Sequence, residues 1–361
     1  MKVGIVGLPN AGKSSLFNAL TRAGAEAANY PFTTIEPNVA IVPVVDERMT
    51  RVAAVTGATD IRWDTIAFHD IAGLVRGASE GEGLGNRFLA NIRETDAIVH
   101  VVRAHGDSSV VHPEGDVDPV RDIEIVETEL IYADLEQAER RHAKVVRDAR
   151  GGDRTAIAEE AWLAEVIEAL RAGRPVRSVP VPEAAPNAAR DLGSLTAKPV
   201  LFVANVDEGA DPPDEVPAAI ARHAAAEGAL AVAVSSRLEA ELAELDDEEA
   251  AAMRAELGVA ESGLRRVVSG AFSLLDLIAF FTVGDVIAQS WHLRRGLTAW
   301  HAAGEIHGDI QRGFVRAEVI AWDALVEAGG YAGARERGTL RLEGRDYVMA
   351  DGDVITVKFT P

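Results

Sequence analysis

The stretch that most constrains this chain is its first fifteen residues, Met1-Lys2-Val3-Gly4-Ile5-Val6-Gly7-Leu8-Pro9-Asn10-Ala11-Gly12-Lys13-Ser14-Ser15. Val3 to Val6 is a short apolar run that predicts a buried strand, and it breaks at Gly7. A helical pattern starts near Lys13, with Leu16, Phe17, Ala19 and Leu20 on its apolar side. Between them, Gly7 to Ser14 fits G-x-x-x-x-G-K-[ST] in the strand–loop–helix context that the motif requires. Glycines let the backbone curl until successive N–H groups face one anion at the positive end of a helix dipole. Asn10, Ala11, Gly12, Lys13, Ser14 and Ser15 are therefore expected to cradle nucleotide phosphates. Lys13 would reach the β- and γ-phosphates, and the Ser14 hydroxyl would bind Mg²⁺.

Downstream segments extend this reading. Asn29-Tyr30-Pro31-Phe32-Thr33-Thr34-Ile35-Glu36-Pro37-Asn38 lies between the first helix and a strand at Val39 to Val42, where a switch loop belongs. A threonine there can complete a Mg²⁺ shell and sense the γ-phosphate. The strand Thr65 to His69 ends in Asp70-Ile71-Ala72-Gly73, a D-x-x-G at a strand's carboxyl end. Asp70 would hold Mg²⁺ through water, and the Gly73 N–H would bond the γ-phosphate. Leu74 follows, where Ras-like enzymes place a water-orienting glutamine, so chemistry must be slow or use another group. His112, in the turn-rich Val110-Val111-His112-Pro113, is a candidate replacement, with a solvated loop histidine as the plain alternative.

Composition sets limits on partners. With 361 residues, two or three domains are expected. The longest apolar region, Leu274 to Ala288, is interrupted by Asp276 and Asp285 and is too short for a membrane span. No signal peptide is expected before a strand that starts at residue 2, and with no cysteine a reducing cytosol fits. A net charge of −21 argues against nucleic-acid binding through the bulk surface, so any RNA contact must use a local basic patch.

From Pro119 to about Ser178 the pattern becomes helical. Ile123, Val126, Leu130 and Ala133, then Ile157, Trp162, Leu163, Val166, Ile167 and Leu170, predict two amphipathic helices joined at Gly151-Gly152 as an antiparallel hairpin. An apolar strand, Pro199 to Ala204, ends in Asn205-Val206-Asp207-Glu208. Guanine-binding members of this fold carry N-K-x-D there. Glu208 is one methylene longer than that aspartate and overshoots the guanine edge, and Val206 leaves an apolar side chain near the purine, so ATP is expected over GTP. Val232 to Val234 gives a last strand ending in Ser235-Ser236, where a loop lies against the base. Beyond Phe272, strand patterns at Leu277 to Thr282, Thr298 to Trp300, Val315 to Ile320 and Val354 to Phe359, with a helix near His307 to Gly313, predict a separate α+β unit.

Together these segments resemble the YchF branch of Obg-related P-loop NTPases, as does Ala303-Gly304-Glu305-Ile306-His307-Gly308-Asp309 followed by Gly313-Phe314-Val315-Arg316-Ala317. The resemblance covers essentially the whole chain. It implies an α/β fold: a Ras-like, Obg-type P-loop domain (1–120 and 195–271), an inserted coiled-coil hairpin (121–194) and a C-terminal ubiquitin-like β-grasp, or TGS, domain (272–361). It implies a monomeric cytoplasmic ATPase associated with the large ribosomal subunit or the whole ribosome. Ser14, Thr34 and Asp70 would be the Mg²⁺ ligands, and Asn10 would help bind K⁺ as an activator. Asn205, Val206, Glu208 and Ser235 would meet the base, and Lys13, Asn10, Gly73 and His112 would carry the chemistry. An adaptor that uses nucleotide only to stabilise its fold, or a GTP-preferring translational GTPase, are the alternative readings.

Overall fold

The computed structural model describes residues 1–27, 38–71, 84–106, 110–208, 214–259 and 261–360. Along the first part of the chain lie β1 (Lys2–Val6), α1 (Lys13–Ala27), β2 (Val39–Pro43), α2 (Glu47–Thr56), β3 (Asp60–Arg62), β4 (Thr65–Asp70), α3 (Leu84–Arg93) and β5 (Ala97–Arg103). The hairpin region follows with α4 (Pro119–Ala149), α5 (Arg154–Arg171) and α6 (Ala188–Leu192). Next come β6 (Val200–Asn205), α7 (Ala218–Ala226), β7 (Leu230–Val234), α8 (Ser236–Leu242), α9 (Asp247–Glu256) and α10 (Gly263–Leu274). The chain closes with β8 (Leu277–Val283), β9 (Ile287–Arg294), α11 (Ala299–Ile306), α12 (Gly308–Arg312), β10 (Phe314–Ala321), α13 (Trp322–Glu327), α14 (Tyr331–Glu336), β11 (Arg341–Glu343) and β12 (Asp353–Phe359).

Two compact units result: residues 1–42 with 67–274, and residues 43–66 with 275–361. The first is built on a six-stranded sheet in the order β2-β4-β1-β5-β6-β7. From β4 through β7 neighbouring strands run parallel. A parallel sheet covered on both faces explains why these strands read as continuous apolar runs and not as alternating ones. β5 is buried at every position, and β6 at all but its first.

The hairpin forms as its spacing predicts. Asp118 caps α4, accepting from the amides of Val120 and Arg121 at 3.2 Å, with Pro119 at the first helical position. Asp153 caps α5 through the Thr155 amide at 3.0 Å. Between them Gly152 takes a φ of 85°, which lets the chain reverse. Residues of α4 from Ile125 to Ala133 pack into the body of the unit. Further out, Val145, Ala149, Ala156, Trp162, Leu163 and Val166 form a core that belongs to the hairpin and its return segment. At the root, the fully buried Asp134 carboxylate accepts from the Leu195 amide (2.9 Å), the Thr196 amide (2.8 Å) and the Thr196 hydroxyl (2.7 Å). Burial raises its pKa, against the pull of those three hydrogen bonds and of Arg93.

The second unit carries a mixed sheet in the order β11-β10-β12-β8-β9-β3. The central β12–β8 pair is parallel, while β8–β9 and β10–β12 are antiparallel. Ala299, Ala302 and Ala303 of α11 pack on Ile278, Phe280, Leu293 and Ile355 of the sheet. This is a β-grasp arrangement. Two readings of the sequence are revised here. Residues 43–66, expected within the nucleotide domain, belong to this unit: β3 pairs in parallel with β9, and Arg48 bridges Asp46 at 2.7 Å and Asp351 at 2.8 Å. The expected strand at Thr298 to Trp300 is a single bridge to Val348 followed by a helix, because Thr298 closes a capping box with His301.

Asp134→Ala leaves two buried amides and a hydroxyl without an acceptor and is expected to destabilise the first unit by about 3 kcal/mol. Urea denaturation of the variant against the parent checks this, and an unchanged midpoint would show that the root is held by apolar packing instead.

Candidate functional site

Register brings the predicted residues to one edge. Ile5 of β1 stands beside Asp70 of β4, and Val6 beside His100 of β5. Arg103 stands beside Asn205, and Asn205 beside Val234. The loop from Gly7 to Gly12, Asp70, Arg103 and Asn205 therefore all lie at the carboxyl ends of parallel strands, the crevice where α/β sheets bind ligands.

The loop is tightly fitted. A Cβ on Gly7 would sit 2.3 Å from the Val101 carbonyl, and one on Gly12 would sit 2.2 Å from Asn205 Nδ2. Asn10 adopts a φ of 63° and donates from Nδ2 to the Val111 carbonyl at 3.0 Å. Lys13 is folded inward, donating from Nζ to the Leu8 carbonyl at 2.7 Å, a bond that a phosphate would replace. Burial pushes the Lys13 ammonium down to about 8, with the Asp70 carboxylate opposing the shift. Asp70 is raised by its own burial, and Lys13 opposes that. The first-turn amides of α1, from Lys13 onward, have no acceptor within the helix and so remain anion donors. Thr34 and Gly73 lie outside the described residues.

Asn205 joins the two halves of the site. Its Nδ2 donates to the Ala11 carbonyl at 3.1 Å, and its Oδ1 accepts from the Ser236 amide at 3.0 Å. The structure revises three expectations around it. Val206 turns its side chain into a core with Val102, Ile123, Phe202 and Ile220, so that side chain is not available to a ligand. The Ser235 hydroxyl caps α8, accepting from the Leu238 amide at 3.3 Å. Ser236 Oγ, buried beside Asn205, has no hydrogen-bond partner among the described residues. Glu208 is engaged by Arg237 Nε at 2.7 Å.

His112 is also placed differently from a solvated or water-facing ring. It is buried, its Nδ1 accepts from the Glu114 amide at 3.2 Å, and its Nε2 donates to Asp122 Oδ2 at 2.8 Å. Both nitrogens are thus engaged, and the ring ties the loop after β5 to the first turn of α4. Arg103, 2% exposed, holds the same loop from the other end through the Val110 carbonyl (3.0 Å) and the His105 carbonyl (3.3 Å). Sequence reading missed Arg103, although a lone cation closing an otherwise apolar strand was a signal. Ser236 was indistinguishable from Ser235 without the helix cap.

Comparisons with known proteins agree over the whole length. A family model described as a 50S ribosome-binding GTPase matches residues 2–138. A second, YchF-GTPase_C, described as a protein of unknown function, matches residues 277–360. The chain is 47% identical to the ribosome-binding ATPase YchF of Bacillus subtilis, covering 99% of each chain. It is 46% identical to the protein of the same name from Haemophilus influenzae, again over 99% of each. Among solved structures it matches the Schizosaccharomyces pombe YchF GTPase with a TM-score of 0.88 and 33% identity, covering 99% of this chain and 97% of that one.

Two outcomes are expected from this geometry. Gly12→Ala drives a methyl into the Asn205 carboxamide and should weaken nucleotide binding by about tenfold or more, read by titration with a fluorescent nucleotide. Lys13 gives a pH dependence. Its folded pKa of about 8 lies below the 10.5 of a free lysine, so its charge costs stability below pH 8, and that cost is relieved between 8 and 10.5. A bound phosphate restores the charge, so affinity should be flat below about pH 8 and weaken by up to tenfold per unit above it. Calorimetry near pH 9 in buffers of different ionisation enthalpy should report uptake approaching one proton. Buffer-independent heats would contradict the shift.

Proposed function

This chain belongs to the YchF family, and from that premise we propose that it is a ribosome-associated ATPase whose nucleotide state sets its grip on the ribosome. The observation that carries this reading is the convergence of Lys13, Asp70 and Asn205 on one phosphate-binding loop at the carboxyl edge of the sheet. Lys13 supplies the cation for charge that develops on the transferring phosphoryl group. Asn205 keeps the phosphate loop and the base loop in fixed relation, so that binding at one end positions the other.

Mg²⁺ fits the donor set. Among the described residues no group of three or more His, Cys, Asp or Glu could hold a metal by itself. What is present is a hydroxyl and one carboxylate beside a phosphate loop, the type of site at which Mg²⁺ keeps several waters and shares the nucleotide's oxygens. Ser14 and Asp70 would hold it, with Thr34 as the third protein ligand. When bound, Mg²⁺ neutralises charge on the β- and γ-phosphate oxygens. The Asn10 amide nitrogen is used by Val111, which leaves the carboxamide oxygen as its donor to an activating K⁺.

Our reading of the base site favours ATP. Guanine recognition in this fold needs a short carboxylate to accept from N1–H and the 2-amino group. Glu208 overshoots that edge, and its charge is engaged by Arg237. Adenine carries neither donor and loses nothing. A mismatch with unpaired polar groups costs about 1–3 kcal/mol, or roughly tenfold to a hundredfold in affinity. For hydrolysis, His112 remains the candidate for positioning water, and to act its ring must leave both Asp122 and the Glu114 amide. No helix among the described residues is long and apolar enough to cross a membrane. A monomer in the cytoplasm, where ribosomes are, completes the proposal.

Titration with fluorescent ATP and GTP analogues should give at least tenfold tighter ATP binding, and Glu208→Asp should move the ratio toward GTP. Equal affinities would overturn the preference and fit the GTPase name carried by the yeast homologue. Lys13→Ala should abolish turnover. His112→Ala should lower turnover by about a hundredfold with nucleotide affinity little changed. A fall below about threefold would leave His112 as a structural tie alone. Ribosome co-sedimentation that is the same with ATP, with ADP and without nucleotide would remove the switch, because a ligand shifts only equilibria that it discriminates.

A further inference from the structure

We propose that the tip of the α4–α5 hairpin docks on the phosphate backbone of RNA. The inference rests on the ribosome reading for its biological setting and on the tip itself for its chemistry. Between residues 140 and 154 the chain carries Arg140, Arg141, Lys144, Arg147, Arg150 and Arg154 against only Asp148 and Asp153, in a protein whose net charge is −21. Arg140 is paired with Glu136 at 2.8 Å and Arg141 with Glu159 at 2.7 Å. Lys144, Arg147, Arg150 and Arg154 are exposed and have no ion-pair partner among the described residues. Asp148 and Asp153, the latter also capping α5, are the two carboxylates of this stretch, so the six cations outnumber them three to one.

The placement of these cations is regular. Lys144, Arg147 and Arg150 recur every third residue, within an arc of about 120° and at intervals of about 4.5 Å along the helix. Arg154 joins them across the turn. Stabilisation of the hairpin explains only part of this. Arg147, in the last turn of α4, and Arg150, its C-cap, sit at the negative end of a helix dipole, where cations are favourable. Arg154 is the first residue of α5, at the positive end of a dipole, where a cation is unfavourable. The dipole therefore supplies no stability reason for a cation at this position.

Distance makes the patch usable in so acidic a chain. Arg150 lies about 25 Å along the helix from Ala133, the last α4 residue in the body's core. Exposed charges further apart than a Debye length of about 8–10 Å are largely screened, so the body's negative charge does not cancel the tip. Phosphates would be repelled by the bulk surface and accepted here. The tip lacks what other partners need. Residues 140–154 include no Trp, Tyr or Phe to anchor a protein interface, and Val145 and Ala149 are buried in the hairpin's own core. A membrane surface would require exposed apolar residues to insert.

The test uses the full-length protein with K144A/R147A/R150A/R154A, whose altered side chains are all exposed and whose helicity is checked by circular dichroism. The probes are a fluorescein-labelled double-stranded RNA and purified ribosomes. Binding of the wild-type protein to the RNA should weaken with salt, with a slope of log K on log salt of about −3. The quadruple variant should bind at least tenfold more weakly, with the slope flattened by about two or more, and each single substitution should remove roughly one. Replacing the three arginines by lysine should preserve binding. Unchanged RNA affinity and slope in the quadruple variant would overturn the proposal. If wild type and variant sediment equally with ribosomes, the tip fails and the ribosome reading stands. If the wild type does not sediment at all, the ribosome reading fails, and the RNA titration still decides the tip. Loss of ribosome binding with RNA affinity intact would assign the tip to an acidic ribosomal protein and overturn the RNA docking.

Discussion

The Asn205 carboxamide is the interaction on which the nucleotide-binding unit depends. One end of it donates to the backbone of the phosphate loop at Ala11, and the other accepts from the backbone of the loop between β7 and α8 at Ser236. A side chain that is 5% exposed and doubly bonded to main chain has little freedom, so the two loops cannot drift apart without stranding a buried polar group. Its position follows from the parallel register, in which Asn205 is the last residue of β6, beside Arg103 and Val234. The absence of a side chain at Gly12 is the complement of this bridge, because a methyl group there would occupy the space of the carboxamide. Sequence motif and tertiary contact are here two views of one packing requirement.

The loop after β5 links that site to the hairpin. Asn10 reaches it from the phosphate loop, Arg103 from the end of the strand, and Asp122 from the first turn of α4 through His112. A displacement of the phosphate loop would therefore be felt at the start of a helix about 46 Å long. Asp134 and the Thr196 segment restrain the same helix immediately after its last body contact, Ala133. The root is thus held at two places with different chemistry: a buried histidine–aspartate contact near the site, and a buried carboxylate bonded to backbone amides further out.

Motifs with fixed local geometry were legible in the sequence. The phosphate loop, the strand ending at Asp70, the apolar runs of β5 and β6 and the two hairpin helices are set by residues within a few positions of each other, and the structure places them as their spacing predicts. Glycine placement, a 3.6-residue apolar period and caps such as Asp118 and Asp153 are local properties. The family was legible for the same reason, since its motifs are contiguous segments spread over the whole chain.

What only the tertiary structure decided depends on contacts between residues far apart in the chain. No local signal says that residues 43–66 complete the sheet of the C-terminal unit, because β3 is three residues long and takes its partner from β9, more than two hundred positions later. The direction of Val206 was set by the core beneath it, and the roles of Ser235 and Ser236 by which of the two caps α8. The loop sequence offers His112 as a candidate water-positioning group or a solvated histidine, and its burial and two bonds come from the fold around Asp122. Local chemistry in the sequence determined that this chain binds a nucleoside triphosphate and belongs to the YchF family. Long-range packing determined which atoms of those residues are free to act, because the hydrogen-bond partners that occupy a side chain are supplied by distant parts of the chain.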